Sequence, residues 1–175
     1  MEKERLKILA IPGSLRAQSS SHVVMKSAAT LMPDHIEMNF FEGLADLPHF
    51  DDSNEVPRKV EAFRNLLKEA DGIFICTPEY AFGVPGSLKN ALDWTVSSGE
   101  FYNKPVAVVT ASSQGDKGHA ALLLILTALS ARVPNDAALL ISFIRAKIKN
   151  GEVVDLEILN QLRGVMDALI KTIEA

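Results

Sequence analysis

Cys76-Thr-Pro-Glu-Tyr-Ala-Phe-Gly-Val-Pro-Gly-Ser-Leu-Lys-Asn-Ala-Leu-Asp-Trp94 decides the fold. The apolar run that leads into it, Gly72-Ile-Phe-Ile-Cys76, reads as a strand buried on both faces. Pro78 and Pro85 then fix φ and remove two backbone donors, while Gly83 and Gly86 allow turns that other residues resist. A rigid loop therefore joins the carboxyl end of a strand to a helix, which is where open α/β sheets hold their ligands.

A second loop of this kind lies near the amino terminus. Leu6-Lys-Ile-Leu-Ala-Ile11 gives way to Pro12-Gly-Ser-Leu-Arg-Ala-Gln-Ser-Ser-Ser21, and a helical pattern comes next. Ser14, Ser19, Ser20 and Ser21 supply hydroxyls and backbone donors, Arg16 supplies a planar cationic fork, and the helix turns its positive end to the same spot. A serine-rich N-cap would use the same hydroxyls, but capping needs no cation. The loop reads as a phosphate site.

Strands and helices alternate along the chain, so the expected architecture is a parallel α/β sheet covered on both faces. Strands are expected at 7–11, 36–41, 72–77 and 106–110, with a fifth inside 137–144; helices are expected at 20–31, 57–69, 87–97, 119–131 and 156–173. Residues 43–55 read as a loop held by Pro48, and Pro57 suits a first helical turn. The most economical sheet order for these elements is 2-1-3-4-5, a three-layer sandwich whose switch point falls between strands one and three. Those are the two strands that carry the special loops. A third polar loop, Ala111-Ser-Ser-Gln-Gly-Asp-Lys-Gly118, adjoins them. A ligand with a phosphate at one end and a planar body at the other would lie across all three.

The 175 residues, 47% of them hydrophobic, suit one domain spanning 1–175. A formal charge of −4 without long basic runs argues against nucleic acid as a partner. The opening Met1-Glu-Lys-Glu-Arg-Leu-Lys7 lacks the apolar stretch of a secretory signal, which points to the cytoplasm, and no membrane partner is expected. Cys76, the single cysteine, reads as a small buried hydrophobe. A phosphatase loop would need an arginine closing behind the thiolate, and 77–83 contain none. His22, His35 and His49 show no metal-ligand spacing. Neither G-x-G-x-x-G nor a P-loop is present.

Two motifs resemble the NADPH-dependent FMN reductase family, flavodoxin-like proteins that include azoreductases, quinone reductases and chromate reductases. They are Gly13-Ser-Leu-Arg-Ala-Gln-Ser19, and Pro78-Glu-Tyr-Ala81 followed by Pro85-Gly-Ser-Leu-Lys-Asn-Ala-Leu-Asp-Trp94. The resemblance implies FMN as cofactor and NADPH or NADH as co-substrate. It implies that Ser14, Arg16, Ser19 and Ser21, with the adjacent Ser20, hold the phosphate. Pro78, Glu79 and Tyr80 would carry the ring, Ala81 and Phe82 would add backbone or packing, and Ser112, Ser113, Gln114 and Gly115 would form the third contact. Family members usually carry asparagine at the position of Ala81, and often paired glycines where Gly118-His119 stands here.

Hydride transfer to a flavin needs no protein acid or base, so Glu79 is expected to organise its loop rather than to catalyse. Trp94 reads as a packing anchor, Lys89 as a snorkelling lysine or an attractor of phosphates, and His119 as a helix-start residue or a substrate contact. The expected activity is a ping-pong NAD(P)H oxidoreductase that reduces quinones, azo compounds, flavins or metal oxyanions. A non-enzymatic electron carrier or a redox-sensing, partner-binding protein is the alternative. The segment Ala120-Ala-Leu-Leu-Leu-Ile-Leu-Thr-Ala-Leu-Ser-Ala131 is apolar on nearly every side, so a second chain is expected to cover it in a homodimer or homotetramer.

Overall fold

The computed structural model describes residues 5–53 and 55–175. The charged opening that argues against a secretory signal begins at residues 1–4, which lie outside the described residues, as does residue 54 in the 43–55 loop. The elements are β1 (Leu6–Pro12), α1 (Ser20–Ala29), β2 (Ile36–Phe40), α2 (Arg58–Glu69), β3 (Gly72–Thr77), α3 (Gly86–Asp93), β4 (Val106–Ala111), α4 (Asp116–Ala128), β5 (Ala138–Ile141), β6 (Ile148–Lys149), β7 (Glu152–Val153) and α5 (Leu156–Ile173). The first five strands form one parallel sheet in the expected order β2-β1-β3-β4-β5, the flavodoxin-like arrangement.

Every residue of β3 and β4 is buried, which explains why these strands read as unbroken apolar runs rather than as alternating ones. Their side chains still alternate between two cores. Ile8, Ala10, Phe74, Cys76, Ala107 and Val109 face α1 and α5. Leu9, Ile11, Ile73, Ile75 and Val108 face α2, α3 and α4. Each large apolar side chain among them contributes about 1.5–3 kcal/mol by leaving water, so the two cores clamp the sheet between helical layers and fix the strand ends that carry the loops.

Several boundaries differ from expectation, each for a local reason. α1 stops at Ala29 rather than 31, where the Thr30 hydroxyl donates back to the Ser27 carbonyl at 2.8 Å. α3 ends at Asp93 rather than 97, because Arg64 Nε donates to the Trp94 carbonyl at 2.9 Å and takes the place of a further helical turn. α4 begins at Asp116 rather than 119, since Gly115 turns the chain at φ +98°, where an added Cβ would also strike Leu140 Cδ1 at 2.8 Å. The 43–55 loop holds a 3₁₀ turn at Gly43–Asp46 that buries Leu44. After β5 the expected strand window gives way to a 3₁₀ turn at Ile144–Lys147 and then to the β6–β7 hairpin, which pairs antiparallel through Ile148 and Val153.

Candidate flavin and nucleotide site

The β1–α1 loop must pass close to β3. The Gly13 N–H donates to the Cys76 carbonyl at 2.8 Å, and a Cβ on Gly13 would sit 2.1 Å from Thr77 Oγ1, so only glycine fits. Hydroxyls shape the rest of the loop. Ser14 Oγ accepts from the Arg16 N–H at 3.2 Å, and the Ser19 N–H donates to the Arg16 carbonyl at 2.9 Å. Ser19 caps α1 by accepting from the His22 N–H, and its Oγ lies 2.9 Å from both Ser21 Oγ and His22 Nδ1. These bonds order the loop with the positive end of α1 and the Ser19 and Ser21 hydroxyls gathered together. The Arg16 side chain is exposed and pairs with no carboxylate among the described residues.

The β3–α3 loop uses backbone geometry instead. Tyr80 and Gly83 exchange N–H···O=C bonds at 2.9 Å in both directions, closing a two-residue turn through Ala81 (φ 48°) and Phe82 (φ 59°). Left-handed backbone at a non-glycine residue costs about 1–3 kcal/mol, and here it occurs twice in succession. Glu79 secures the base of this turn. Its Oε2 accepts from the Gly118 N–H in the first turn of α4 at 2.6 Å, while its own N–H donates to Ser112 Oγ at 3.3 Å. A Cβ on Gly118 would come within 3.0 Å of the Glu79 side chain, so the single glycine allows the close approach. Glu79 thus ties the second loop to the third. The rest of the motif faces the other way: Trp94 Nε1 and Asn90 Nδ2 both donate to the Pro48 carbonyl, at 2.8 and 3.0 Å, and pin the 43–55 loop to α3. Trp94 is buried and packs edge-on against Phe50, which makes it the packing anchor expected.

One cleft gathers Arg16, Ser19, Ser20 and Ser21 from the first loop, Pro78, Glu79 and Tyr80 from the second, and Ser112 and Ser113 from the third. Ser14, buried beneath the loop, instead lines a neighbouring hollow with Phe40 and Phe41. Ala81 and Phe82 form an exposed tip beside the cleft without lining it. Gln114 and Gly115 also stand apart: the Gln114 carbonyl accepts from Ser142 Oγ at 2.8 Å, and Gly115 packs against Leu140. Two lining residues escaped the sequence reading, Ile144 and Arg145, which reach the cleft from the 3₁₀ turn after β5.

The remaining candidates find structural partners. Lys89 pairs with Asp93 at 2.6 Å along α3. His119 Nδ1 lies 2.9 Å from Thr110 Oγ1, and burial lowers the imidazole pKa. Burial pushes the Cys76 thiol far up, so it stays protonated. The site's donor set is cationic and hydroxylic at the α1 end, and the one carboxylate that lines the cleft, Glu79, is turned onto Gly118. That chemistry fits a phosphate, and Pro78, Glu79 and Tyr80 line the cleft beside it.

The family model for NADPH-dependent FMN reductase matches residues 6–146. The chain is 35% identical to a quinone reductase of Escherichia coli, with 94% of each chain covered, and 36% identical to an NADPH azoreductase of a Bacillus species, over 67% of this chain and 65% of that one. Among solved structures, the flavoenzyme NAD(P)H:(acceptor) oxidoreductase FerB from Paracoccus denitrificans superposes with a TM-score of 0.78 at 26% identity, covering 97% of both chains. The chain belongs to the NADPH-dependent FMN reductase family.

Proposed function

We propose that this FMN-dependent NAD(P)H oxidoreductase, acting as one FMN-binding domain over 1–175, reduces small electron acceptors in a ping-pong cycle. Quinones, azo compounds, free flavins and metal oxyanions are the acceptor classes, the first two by likeness to the quinone reductase and azoreductase relatives. The observation that carries the reading is the convergence of three loops from the ends of β1, β3 and β4 on one cleft with a phosphate-type donor set at one end.

Bound FMN would supply the hydride-accepting and electron-donating chemistry. Ser19, Ser20, Ser21 and Arg16 would hold its phosphate, with Ser14 setting the loop through the Arg16 N–H. Pro78, Glu79 and Tyr80 would support its ring, and Ser112 and Ser113 would close the far side. Ala81, Phe82, Gln114 and Gly115 act at one remove, through the tip of the second loop and the start of α4. Glu79 orients the loop through Gly118 and moves no proton. Tyr80 is exposed, so the face it borders is open to the dinucleotide and, after its departure, to the acceptor.

Association of chains supports the same site. Leu124 on α4 is 72% exposed, so neither the long loop nor the carboxyl-terminal segment of its own chain covers it. A homodimer or homotetramer through α3 and α4 would bury this side chain, and α4 starts at the Glu79 contact. No helix among the described residues is long and apolar enough to cross a membrane. A cytoplasmic enzyme is the reading in keeping with the sequence.

Stopped-flow mixing of the FMN-loaded protein with NADPH or NADH tests the function. Rapid loss of flavin absorbance followed by reoxidation with a quinone is expected. Slow or absent bleaching would favour an electron carrier or a redox-sensing partner protein instead.

A further inference from the structure

Beside the flavin cleft, between α1 and the β6–β7 hairpin, lies a second hollow of about 500 Å³ whose lining includes Ser20, His22, Lys26, Arg145 and Ile148. It shares Ser20 and Arg145 with the flavin cleft, so the two adjoin at the start of α1. Its volume lies within the range of small-molecule sites.

Two cations without a carboxylate partner among the described residues share this hollow. The chain carries a net −4, and several cations elsewhere are matched: Lys59 with Asp46, Lys89 with Asp93, Lys117 with Asp116 and Lys147 with Asp155. Lys26 and Arg145 pair with no carboxylate among the described residues, and no acid lines the hollow. Glu42, whose charge acts on His22, lines a neighbouring hollow that Lys26 and His22 also border. Two unmatched cations on a concave wall, in an acidic protein, mark a place for a multiply charged anion.

We propose that this hollow binds the phosphorylated adenosine end of NADPH, with Lys26 and Arg145 on the 2′-phosphate. The inference rests on the reductase reading above, because a dinucleotide that reacts over the flavin must lay its other end along a neighbouring surface, and this hollow adjoins the flavin cleft at Ser20 and Arg145. Arg145, common to both hollows, would bridge the two halves of the co-substrate. NADH, lacking the 2′-phosphate, would forgo these contacts and bind more weakly.

Calorimetric titration of the FMN-loaded protein with adenosine 2′,5′-bisphosphate tests the hollow without any turnover. Binding is expected for the wild type, weakening with added salt as an exposed charge contact must. Lys26→Gln is expected to weaken it about tenfold or more, the scale of a lost hydrogen bond to a charged group, and Lys26→Arg to restore it. In steady-state assays Lys26→Gln should raise KM for NADPH and leave KM for NADH unchanged. Absence of bisphosphate binding to the wild type, or equal affinity in Lys26→Gln, overturns the proposal even where NADPH bleaches the flavin. Failure of both dinucleotides to bleach the flavin strikes the reductase reading instead, and the bisphosphate titration still reads the hollow by itself.

Discussion

The β1–α1 loop and the β3–α3 loop leave neighbouring strands at the same end of the sheet, yet they are held by opposite means. In the first, side-chain hydroxyls make the bonds: Ser14 and Ser19 bind the loop backbone, and Ser19 caps α1. No non-glycine residue in that loop has positive φ. In the second, the backbone itself is bent through two consecutive left-handed residues, Ala81 and Phe82, and one carboxylate, Glu79, fastens the bend to α4. The first loop is ordered at low conformational cost around the hydroxyls proposed to hold an anion, whereas the second stores strain at its tip beside the cleft. Binding of the phosphate should therefore depend on the first loop alone, and properties of the ring should respond to changes in the second.

Arg16→Ala should break the first half of that contrast most severely. FMN affinity is expected to fall by about 1.5–3 kcal/mol, the scale of a hydrogen bond to a charged group, with the melting temperature unchanged because Arg16 is exposed and makes no ion pair. Fluorescence titration of apo-protein reads the affinity. An unchanged value would remove Arg16 from the phosphate site.

Glu79→Ala tests the fastening of the second loop. It leaves the Gly118 N–H without its acceptor, so about 1–3 kcal/mol of stability should be lost. Glu79→Gln, which keeps an acceptor oxygen, should recover a large part of it. Thermal unfolding of the two variants, read beside their turnover, separates this positioning role from acid–base catalysis, for which the glutamine variant would be as inactive as the alanine one.

Ala81→Asn sharpens the comparison further. Asparagine tolerates left-handed backbone better than alanine and is favoured in such turns, so the variant should gain stability on the order of 0.5–1 kcal/mol, about 1–4 °C in a domain of this size. A shift in the FMN reduction potential should accompany it, with no change in phosphate affinity measured with inorganic phosphate as competitor. A loss of stability would mean that the turn does not need a left-handed former at that position.

His119 gives the smallest effect, through pH. Burial holds its folded pKa below the ordinary value of 6.5, so the folded state binds protons less readily than the unfolded one. Stability from this residue is intact above pH 6.5, declines as pH falls below that value, and levels off once pH passes the folded pKa. The melting temperature of His119→Gln should accordingly fall less than that of wild type between about pH 7.5 and about pH 5. Parallel decline in both proteins would show that the imidazole stays exposed to protons in the fold.

The same contrast explains how much of the molecule is legible in the chain. Strands buried on both faces, such as Gly72–Thr77, leave an unbroken apolar run, and the loops after them are marked by proline, glycine and serine; both signals are local. The strain at Ala81 and Phe82 leaves no mark, because neither residue type announces positive φ. Arg145 is equally silent: a single arginine after a short strand reaches the cleft only because the Ile144–Lys147 turn aims it there. The β6–β7 hairpin does carry a sequence signal, Asn150-Gly151, the dipeptide that suits a two-residue turn with positive φ at both positions, here 52° and 79°.

The serine loop with Arg16 is proposed to hold the phosphate of a flavin. Titration of the same apo-protein with FMN and with riboflavin, which differ only in the phosphate, tests this most directly. FMN is expected to bind at least about tenfold more tightly than riboflavin, the consequence of one or more lost charge-assisted hydrogen bonds. Equal affinity for the two, or tighter binding of riboflavin, would contradict it.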